Sequence, residues 1–370
     1  AISSFLETGY HRTPSEVAKR KTIKEFIAGA NMNWKEKNFK IGATGVYYGF
    51  SSPLGERTEP YRYFDFAGTK NANFGVDYLV TIPKVNIFGE TSMSSNLGFA
   101  SVNGAVINFV PEFNMSVIHR YLRADYQALY AQPFSESSKP NNENGLFIGA
   151  ELCPVKKWKI DAYFDSWKHP WLKYGIGAPS SGNEYLVQVT HFPQRNLEIY
   201  LRTKYKTKQK NDPEIATGVR PIVDYSTLRT RLQLNYTPNP EWKFKSRIEV
   251  SRYYMSSPEW GYLVYQDIDY KPKNIALKFN FRIAVFETET YNARLYAYEP
   301  DVLYGFSVPA YYGRGSRLVF VVKYTLNQHF DFWFRITNTY YADKQSLGTG
   351  LDAIDGNNRT DVKLQLRYKF

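Results

Sequence analysis

The sequence predicts an all-β fold, a transmembrane antiparallel up-and-down β-barrel of about 20 strands, within a range of roughly 16 to 22. Three observations predict this fold. Apolar and polar residues alternate with period two, the alternating segments are about ten to thirteen residues long, and short turns alternate with long polar loops. The chain closes on such a segment, Asp361 to Phe370, whose last residue is aromatic.

The composition is rich in aromatic residues but hydrophilic on average. Aromatic residues make up 17% of the 370 residues and include 31 Tyr and 25 Phe, whereas 22% are charged and the mean hydropathy is −0.47. Apolar residues are therefore interleaved with polar ones, and no stretch approaches the roughly 18 consecutive apolar residues of a membrane helix. A helical membrane protein is excluded.

The alternation gives each segment a lipid-type face and a water-type face. In Leu228 to Tyr236, leucines and tyrosine alternate with arginine, glutamine and asparagine, and Lys24 to Lys35, Trp242 to Val250 and Ile275 to Val285 behave alike. A water-soluble sandwich also alternates, but its strands rarely extend much beyond about six residues. The greater length favours strands that cross a bilayer at a tilt.

The connections fall into two sets, as outer-membrane barrels require. We expect the short set to be periplasmic turns and the long set, rich in Gly, Ser, Asn and charge, to be extracellular loops. The short set comprises Lys35 to Asn38, Pro83 to Asn86, Pro111 to Asn114, Pro154 to Trp158, Pro193 to Asn196, Pro238 to Trp242, Lys271 to Asn274 and Leu326 to His329. The long set comprises His11 to Lys21, Ser51 to Tyr61, Tyr126 to Asn144, Lys168 to Asn183, Lys206 to Tyr225 and Ala342 to Arg359.

The strand count depends on two segments. About 20 strands result if Ile2 to Tyr10 is the first strand and Leu295 to Phe306 breaks into strands at Glu299-Pro300-Asp301, with Tyr61 to Gly68 left in a loop. An even number places both chain ends on the periplasmic side. Residues 1–370 are thus predicted to form a single barrel.

The chain opens at Ala1, with neither an initiator Met nor a signal sequence. We therefore expect a processed form or part of a longer protein. An N-terminal periplasmic region upstream of Ala1 remains an open alternative.

The formal net charge of +12 is spread over predicted water-type strand faces. If the interior is open, it should be electropositive and favour anions. Alternatively, these residues pair with neighbouring carboxylates, or they contact a plug, lipid or partner. The basic residues predicted to face the lumen are Arg202, Lys204, Arg229, Arg231, Lys243, Lys245, Arg247, Lys278, Arg282, Lys363, Arg367 and Lys369.

No motif indicates catalysis, a metal or a cofactor. Ser116 and His119 are three residues apart, so a strand places them on opposite faces and prevents direct contact. Cys153 is the single cysteine, which excludes an intramolecular disulfide. The acids Asp352 and Asp355 are expected to be solvated. We predict that the chain is not an enzyme and holds neither a metal nor a cofactor.

Several stretches resemble a known family. Leu295 to Gly315, with Tyr-Gly-Phe-Ser-Val-Pro-Ala-Tyr-Tyr-Gly in its second half, precedes the Gly-rich stretch Gly348 to Gly356 and the closing strand Val362 to Phe370. With Gly9 to Pro14 and Trp171 to Tyr174, these stretches resemble the barrel region of Bacteroidota outer-membrane proteins of the helix-hairpin-helix type. That family carries an upstream region similar to DNA-binding competence proteins, but no such segment occurs in these residues. The resemblance implies a location more than an activity.

The closing strand carries an insertion signal in the barrels that this chain resembles. Its lipid-type residues end on Tyr368 and Phe370, which we expect the barrel insertion machinery to recognise. The other expected partners are outer-membrane lipid, lipopolysaccharide and other envelope proteins, and no nucleic acid is assigned to this segment.

Three functions remain open from the sequence. The first is a non-enzymatic pore or docking component of the Bacteroidota outer membrane, with an electropositive lumen. The second is a structural subunit of a secretion or assembly complex with a plugged lumen. The third is DNA binding or uptake coupled to an upstream region.

Overall fold

A computed structural model describes residues 11–55, 58–215, 218 and 220–370. Within these residues, seventeen strands belong to one antiparallel sheet, which confirms the predicted all-β fold and lies inside the predicted range of roughly 16 to 22 strands. The predicted first strand, Ile2 to Tyr10, lies outside the described residues. None of the helices in the described ranges is long and apolar enough to cross a membrane.

The chain forms two compact units. Unit 1 consists of Ala1–Glu151, Tyr163–Glu184 and Lys208–Asp224, and unit 2 of Leu152–Ala162, Tyr185–Thr207 and Tyr225–Phe370. Because each unit is assembled from several chain segments, the sequence does not divide into consecutive domains.

The described part of unit 1 begins with a short helix and continues as antiparallel hairpins. Thr13 caps the helix by accepting a hydrogen bond from the Glu16 backbone N–H at 3.2 Å, and Pro14 occupies its first turn. The elements are α1 (Pro14–Ala18), β1 (Glu25–Lys35), β2 (Phe39–Leu54), β3 (Gly68–Ile82), β4 (Val85–Ser94), β5 (Phe99–Val110) and β6 (Phe113–Leu122), with the 3₁₀ turn Pro60–Arg62 between β2 and β3. Each strand from β1 to β6 pairs antiparallel with the next.

Each of the four following strands contributes residues to both units. They are β7 (Glu143–Leu152), β8 (Trp158–His169), β9 (Ser180–Gln194) and β10 (Leu197–Asn211).

Unit 2 continues the antiparallel pattern. Its long strands are β11 (Ile222–Asn239), β12 (Trp242–Tyr254), β13 (Pro258–Tyr270), β14 (Leu277–Thr288), β17 (Arg314–Thr325), β18 (Phe330–Tyr341) and β21 (Asn358–Tyr368). Two small hairpins lie in the loops, β15 (Leu295–Tyr296) with β16 (Ala310–Tyr311) and β19 (Ser346–Leu347) with β20 (Ile354–Asp355), and two 3₁₀ turns span Tyr291–Ala293 and Gly350–Asp352.

The strand faces differ sharply in exposure. On β13 and β14, Val264, Ile283 and Val285 are 49%, 44% and 58% exposed, whereas Leu263 and Ala284, one residue away, are fully buried. The first face is the predicted lipid-type face, which we call the apolar face. The opposite face carries the predicted water-type residues, and we call it the covered face because loops lie on it.

All eight predicted short turns connect neighbouring strands. For example, β3 ends at Ile82 and β4 begins at Val85, and β17 ends at Thr325 before β18 begins at Phe330. The two-residue and four-residue connections leave no room for independent structure. The loops that fold onto the strands are the long connections at the opposite ends of the strands.

Several predicted boundaries are wrong. Leu295 to Phe306 does not form two sheet strands, because Pro300 lies between two acids that contact the wall and only Leu295–Tyr296 is a strand. His11 to Lys21 contains α1. Ladder hydrogen bonds also carry strand structure into three other predicted loops. β2 reaches Leu54 in the first, β10 reaches Asn211 and β11 begins at Ile222 in the second, and β21 begins at Asn358 in the third.

Candidate functional site: loops on a basic strand face

The candidate site is the covered face of each unit together with the long loop that lies on it. We call residues 123–142, between β6 and β7, loop A, and residues 289–313, between β14 and β17, loop B. Loop A belongs to unit 1 and loop B to unit 2. Each loop packs on strands of its own unit.

In unit 2, the strand register places basic residues directly opposite acids. Arg231 lies across from Glu249 and donates from Nε and Nη2 at 2.9 and 3.0 Å, and Arg247 approaches the same carboxylate at 3.6 Å. Glu249 is only 3% exposed. Cross-strand pairs of opposite charge stabilise a sheet, so two of the predicted lumen residues share one buried acid.

A second ladder runs across β12, β13 and β14. Asp267 lies opposite both Lys245 and Arg282 in the register. Arg282 donates to Asp267 from Nη2 at 2.7 Å and is 1% exposed, whereas Lys245 is 3.9 Å from the same carboxylate. The ring of Tyr265 lies beneath the Arg282 guanidinium, 4.0 Å from its Cζ. The buried charge is thus satisfied by a carboxylate and an aromatic face.

Asp331 gathers three cations near the start of β18. Its carboxylate binds Arg367 and lies 3.1 Å from Lys369 Nζ and 3.5 Å from Lys323 Nζ. Thr325 also donates to it at 2.7 Å. One buried acid therefore holds two predicted lumen residues of the closing segment, and the cluster retains an excess of positive charge.

The remaining predicted basic residues have other neighbours. Arg202 donates to Gln188 Oε1 at 2.7 Å, and Arg229 donates to the Arg294 carbonyl at 3.4 Å. Lys204 lies two residues from Arg202 on β10, which places it on the same face. Lys243 and Lys278 line a cleft of about 590 Å³ in unit 2, together with Lys323 and Asp269.

Loop B lies across the covered face of unit 2. Its Leu295, Ala297 and Tyr311 form a buried cluster with Leu263, Tyr265, Ala284 and Phe286 of β13 and β14. Arg282 of β14 donates to the Tyr298 carbonyl at 2.7 Å. Apolar burial and a wall-to-backbone hydrogen bond together hold the loop on the strands.

Two carboxylates at the turn of loop B bind arginine and lysine residues of the wall. Glu299 accepts from Arg317 Nε at 2.6 Å and from Arg335 Nη2 at 3.1 Å. Asp301 accepts from Lys363 Nζ at 2.8 Å and lies 3.5 Å from Arg335 Nε. The side chains of Glu299 and Asp301 are both fully buried. We call these five residues the loop B latch.

Loop A covers the corresponding face of unit 1. Tyr126 and Ala128 are buried against Ala100 and Leu122 of β5 and β6. The Gln127 carbonyl accepts hydrogen bonds from both Asn71 and Asn73 of β3, each at 2.9 Å. Loop A is therefore anchored by apolar contacts and by backbone hydrogen bonds to the wall.

A buried arginine fixes the end of loop A. Arg120 of β6 is fully buried, binds Glu143 at the start of β7 and donates to both oxygens of Asp165 at 2.7 and 3.1 Å. Glu143 in turn accepts the backbone N–H groups of Glu136 and Ser137 in loop A. Arg120 thus fixes Glu143, and Glu143 fixes the backbone of loop A.

Several members of these clusters were not among the predicted lumen residues, namely Arg120, Arg317, Arg335 and the acids that they bind. Arg317 and Arg335 alternate with apolar residues in β17 and β18, as the predicted lumen residues do, and this pattern marks them as covered-face residues. The pairing of Glu299 with them carries no local signal, because 36 residues separate Glu299 from Arg335.

The remaining candidates show no catalytic arrangement. Ser116 and His119 lie on opposite faces of β6, as their spacing predicts, and His119 is exposed opposite Asn103 in the strand register. Within the described parts of the chain, no group of three His, Cys, Asp or Glu residues has a geometry that would hold a metal ion. At the chain end, Tyr368 is 51% exposed beside Phe330, and Phe370 is fully exposed.

No protein-family model and no curated protein matches this chain. Solved structures do match its fold. The structure of FpvAI in complex with pyocin S2 gives a TM-score of 0.57 at 11% identity, covering 94% of this chain and 55% of that chain. P. aeruginosa FpvA bound to heterologous pyoverdines gives a TM-score of 0.55 at 10% identity, covering 94% of this chain and 56% of that one.

The ferric-catecholate import receptor Fiu of E. coli K12 gives a TM-score of 0.52 at 8% identity, covering 94% of this chain and 64% of the receptor. This chain therefore spans between about half and two thirds of the length of these proteins. At such identities the similarity concerns the fold alone. The fold is that of an outer-membrane β-barrel.

Proposed function

We propose that this protein is a non-enzymatic outer-membrane channel for small anionic solutes, with a lumen lined by the basic residues of the covered faces. The observation that carries the proposal is the basic excess on these faces. On β12, Lys243, Lys245 and Arg247 accompany a single acid, Glu249. Rings of lysine and arginine lower the barrier to anions in a pore.

The loop B latch supports a narrowed channel. Glu299 and Asp301 neutralise part of the positive wall while they hold loop B on it. Their release would expose Arg317, Arg335 and Lys363 to the lumen. The latch therefore controls both the width and the charge of the proposed path.

Planar-bilayer recording tests this function. Folded protein is expected to conduct, to shift its reversal potential towards that of chloride in a KCl gradient, and to conduct more after Glu299→Gln. Absence of conductance from both the wild type and Glu299→Gln would reject the channel, and a preference for potassium would reject anion selectivity.

The extensive packing of the loops supports a second candidate, a structural subunit with a plugged lumen. In this case loops A and B are permanent parts of the core, and the surface binds other envelope proteins. Mild extraction followed by native electrophoresis separates the two proposals: co-migration with partners and no conductance support the subunit, whereas a lone conducting barrel supports the channel.

We also propose where the protein lies in the cell. The motif resemblance supports a Bacteroidota outer membrane, with lipopolysaccharide around the apolar face and Tyr368 and Phe370 as the insertion signal. Among the described residues, no contact supports a role in DNA uptake. Retention of DNA by a longer protein that includes any upstream region would test that role.

A further inference from the structure

A cleft at the loop end of unit 1 has a wall of aromatic rings. It lies among the loop after β2, loop A and the loop after β8, at the end opposite the short turns. Its volume is about 340 Å³, within the range of roughly 300 to 1,000 Å³ of small-molecule sites. The anion path proposed above does not require this cleft.

Two rings of the aromatic cluster are open to solvent. Tyr174 is 84% exposed, and its ring meets that of Tyr61 at 5.7 Å. Phe64 and Trp171 form a second pair at 5.0 Å, and Tyr63, 71% exposed, packs against both. Exposed clusters of large apolar side chains mark binding sites, because a protein gains little stability from leaving them in water.

Hydrogen bonds to the surrounding loops hold Trp171 in place. Its indole Nε1 donates to the Pro60 carbonyl at 3.0 Å, and its backbone N–H donates to Asn142 Oδ1 at 2.7 Å. Asn142 also donates to the Trp171 carbonyl at 3.0 Å. The ring is therefore positioned before any ligand arrives, which lowers the entropy cost of binding.

The polar wall of the cleft has nearly balanced charge. Asp65 accepts from Lys139 Nζ at 2.6 Å and from Arg62 Nε at 3.1 Å, and Lys173 donates to Ser137 Oγ at 2.9 Å. Glu136 also lines the cleft and binds Lys208. Since acids and bases compensate one another, this wall favours a neutral ligand with many hydroxyl groups over an anion. A carboxylate with two bonds retains further lone pairs for hydroxyl donors.

We propose that this aromatic cleft binds a short neutral saccharide. One face of a pyranose ring presents C–H groups, which pack on one ring of the edge-to-face pair Tyr61 and Tyr174. The hydroxyl groups of the sugar hydrogen-bond to Asp65, Lys139 and Asn141. The volume accommodates one or two sugar units, with the rest of an oligosaccharide extending past Tyr63.

Calorimetric titration of the full chain tests the proposal, in lauryldimethylamine oxide so that no sugar-headed detergent competes. The probes are cellotriose, maltotriose, xylotriose and mannotriose. We expect saturable binding of at least one trisaccharide and an affinity loss of at least about tenfold for Tyr174→Ala and for Tyr61→Ala. Phe306→Ala, which removes an 80% exposed ring of unit 2, should leave the affinity unchanged.

Failure of all four trisaccharides to bind at concentrations up to about 10 mM would overturn the proposal, as would binding that survives both tyrosine substitutions. Tyr174 is almost fully exposed, so its removal leaves folding intact. Bilayer conductance reports the channel separately, and therefore either proposal can fail alone.

Discussion

Glu299 of loop B and Arg317 of β17 form a two-pronged ion pair, with Nε–Oε1 and Nη2–Oε2 distances of 2.6 and 2.9 Å. The glutamate side chain is fully buried and the arginine is 12% exposed. Because the paired atoms are shielded from water, each depends on the other for its stability. This pair joins the loop to the wall and leads to the first prediction.

Glu299→Gln should release loop B. Removing one charge leaves Arg317 and Arg335 without their shared carboxylate, and breaking a buried pair typically costs about 3–5 kcal/mol. We expect limited chymotrypsin digestion of the folded protein to cleave loop B at least about tenfold faster, near Tyr304 and Phe306.

The matched control is Glu241→Gln. Glu241 pairs with Lys273, which is 73% exposed, so this surface pair contributes little. Equal cleavage rates for wild type, Glu299→Gln and the control would show that the latch does not hold the loop.

Arg120→Met should destabilise unit 1 through Glu143 rather than through lost packing alone. Glu143 is buried and would lose its guanidinium partner, at a cost of about 3–5 kcal/mol in the free energy of unfolding. Urea unfolding in detergent, followed by tryptophan fluorescence, measures this loss.

Arg123→Met provides the comparison for Arg120→Met. The Arg123 side chain is 42% exposed and pairs with nearby Asp125, so a change of less than about 1 kcal/mol is expected. If the two substitutions proved equally mild, Arg120 would not be the fixed point of loop A.

Lys243→Glu combined with Lys245→Glu should weaken anion preference. Lys243 lines the cleft of unit 2 and Lys245 is 43% exposed on the covered face, so acids there would repel chloride. We expect the chloride-to-potassium permeability ratio to fall at least roughly threefold. The double substitution Lys35→Glu with Lys37→Glu, at the β1–β2 turn, makes the same change in net charge and should leave the ratio nearly unaltered.

Val264→Arg tests the assignment of the apolar face. Val264 lies at the middle of β13 and is 49% exposed, so a bilayer-facing arginine should cost about 2–4 kcal/mol. Tyr254→Arg, at the end of β12, should cost less than about 1 kcal/mol because the ends of membrane strands lie near the bilayer interface. Unfolding titrations in lipid vesicles compare the two, and equal costs would contradict the face assignment.

Phe370→Ala should lower insertion without lowering stability. The Phe370 ring is fully exposed, so its loss removes no buried area, and refolding into detergent should be unchanged. If the terminal ring is the insertion signal, the amount of folded protein in outer-membrane fractions of living cells should fall severalfold. A normal cellular level would reject that role.

The sequence predicted the barrel strands because their signal is local. Period-two alternation in Trp242 to Val250 assigns each residue to a face without reference to any other strand. The same rule correctly separated Ser116 from His119. Pro and Asn at the short turns located the hairpin ends, because these residues favour turn conformations.

Only the tertiary structure decided what covers the strands. Leu295 to Phe306 has enough apolar residues for a strand, but its acids find buried arginines in β17 and β18, and these contacts outweigh local propensity. The saccharide cleft likewise joins Tyr61 to Tyr174, residues far apart in the chain. Alternation fixes the direction of a side chain, whereas the partner of a loop carboxylate depends on register and packing among distant segments, which no local pattern specifies.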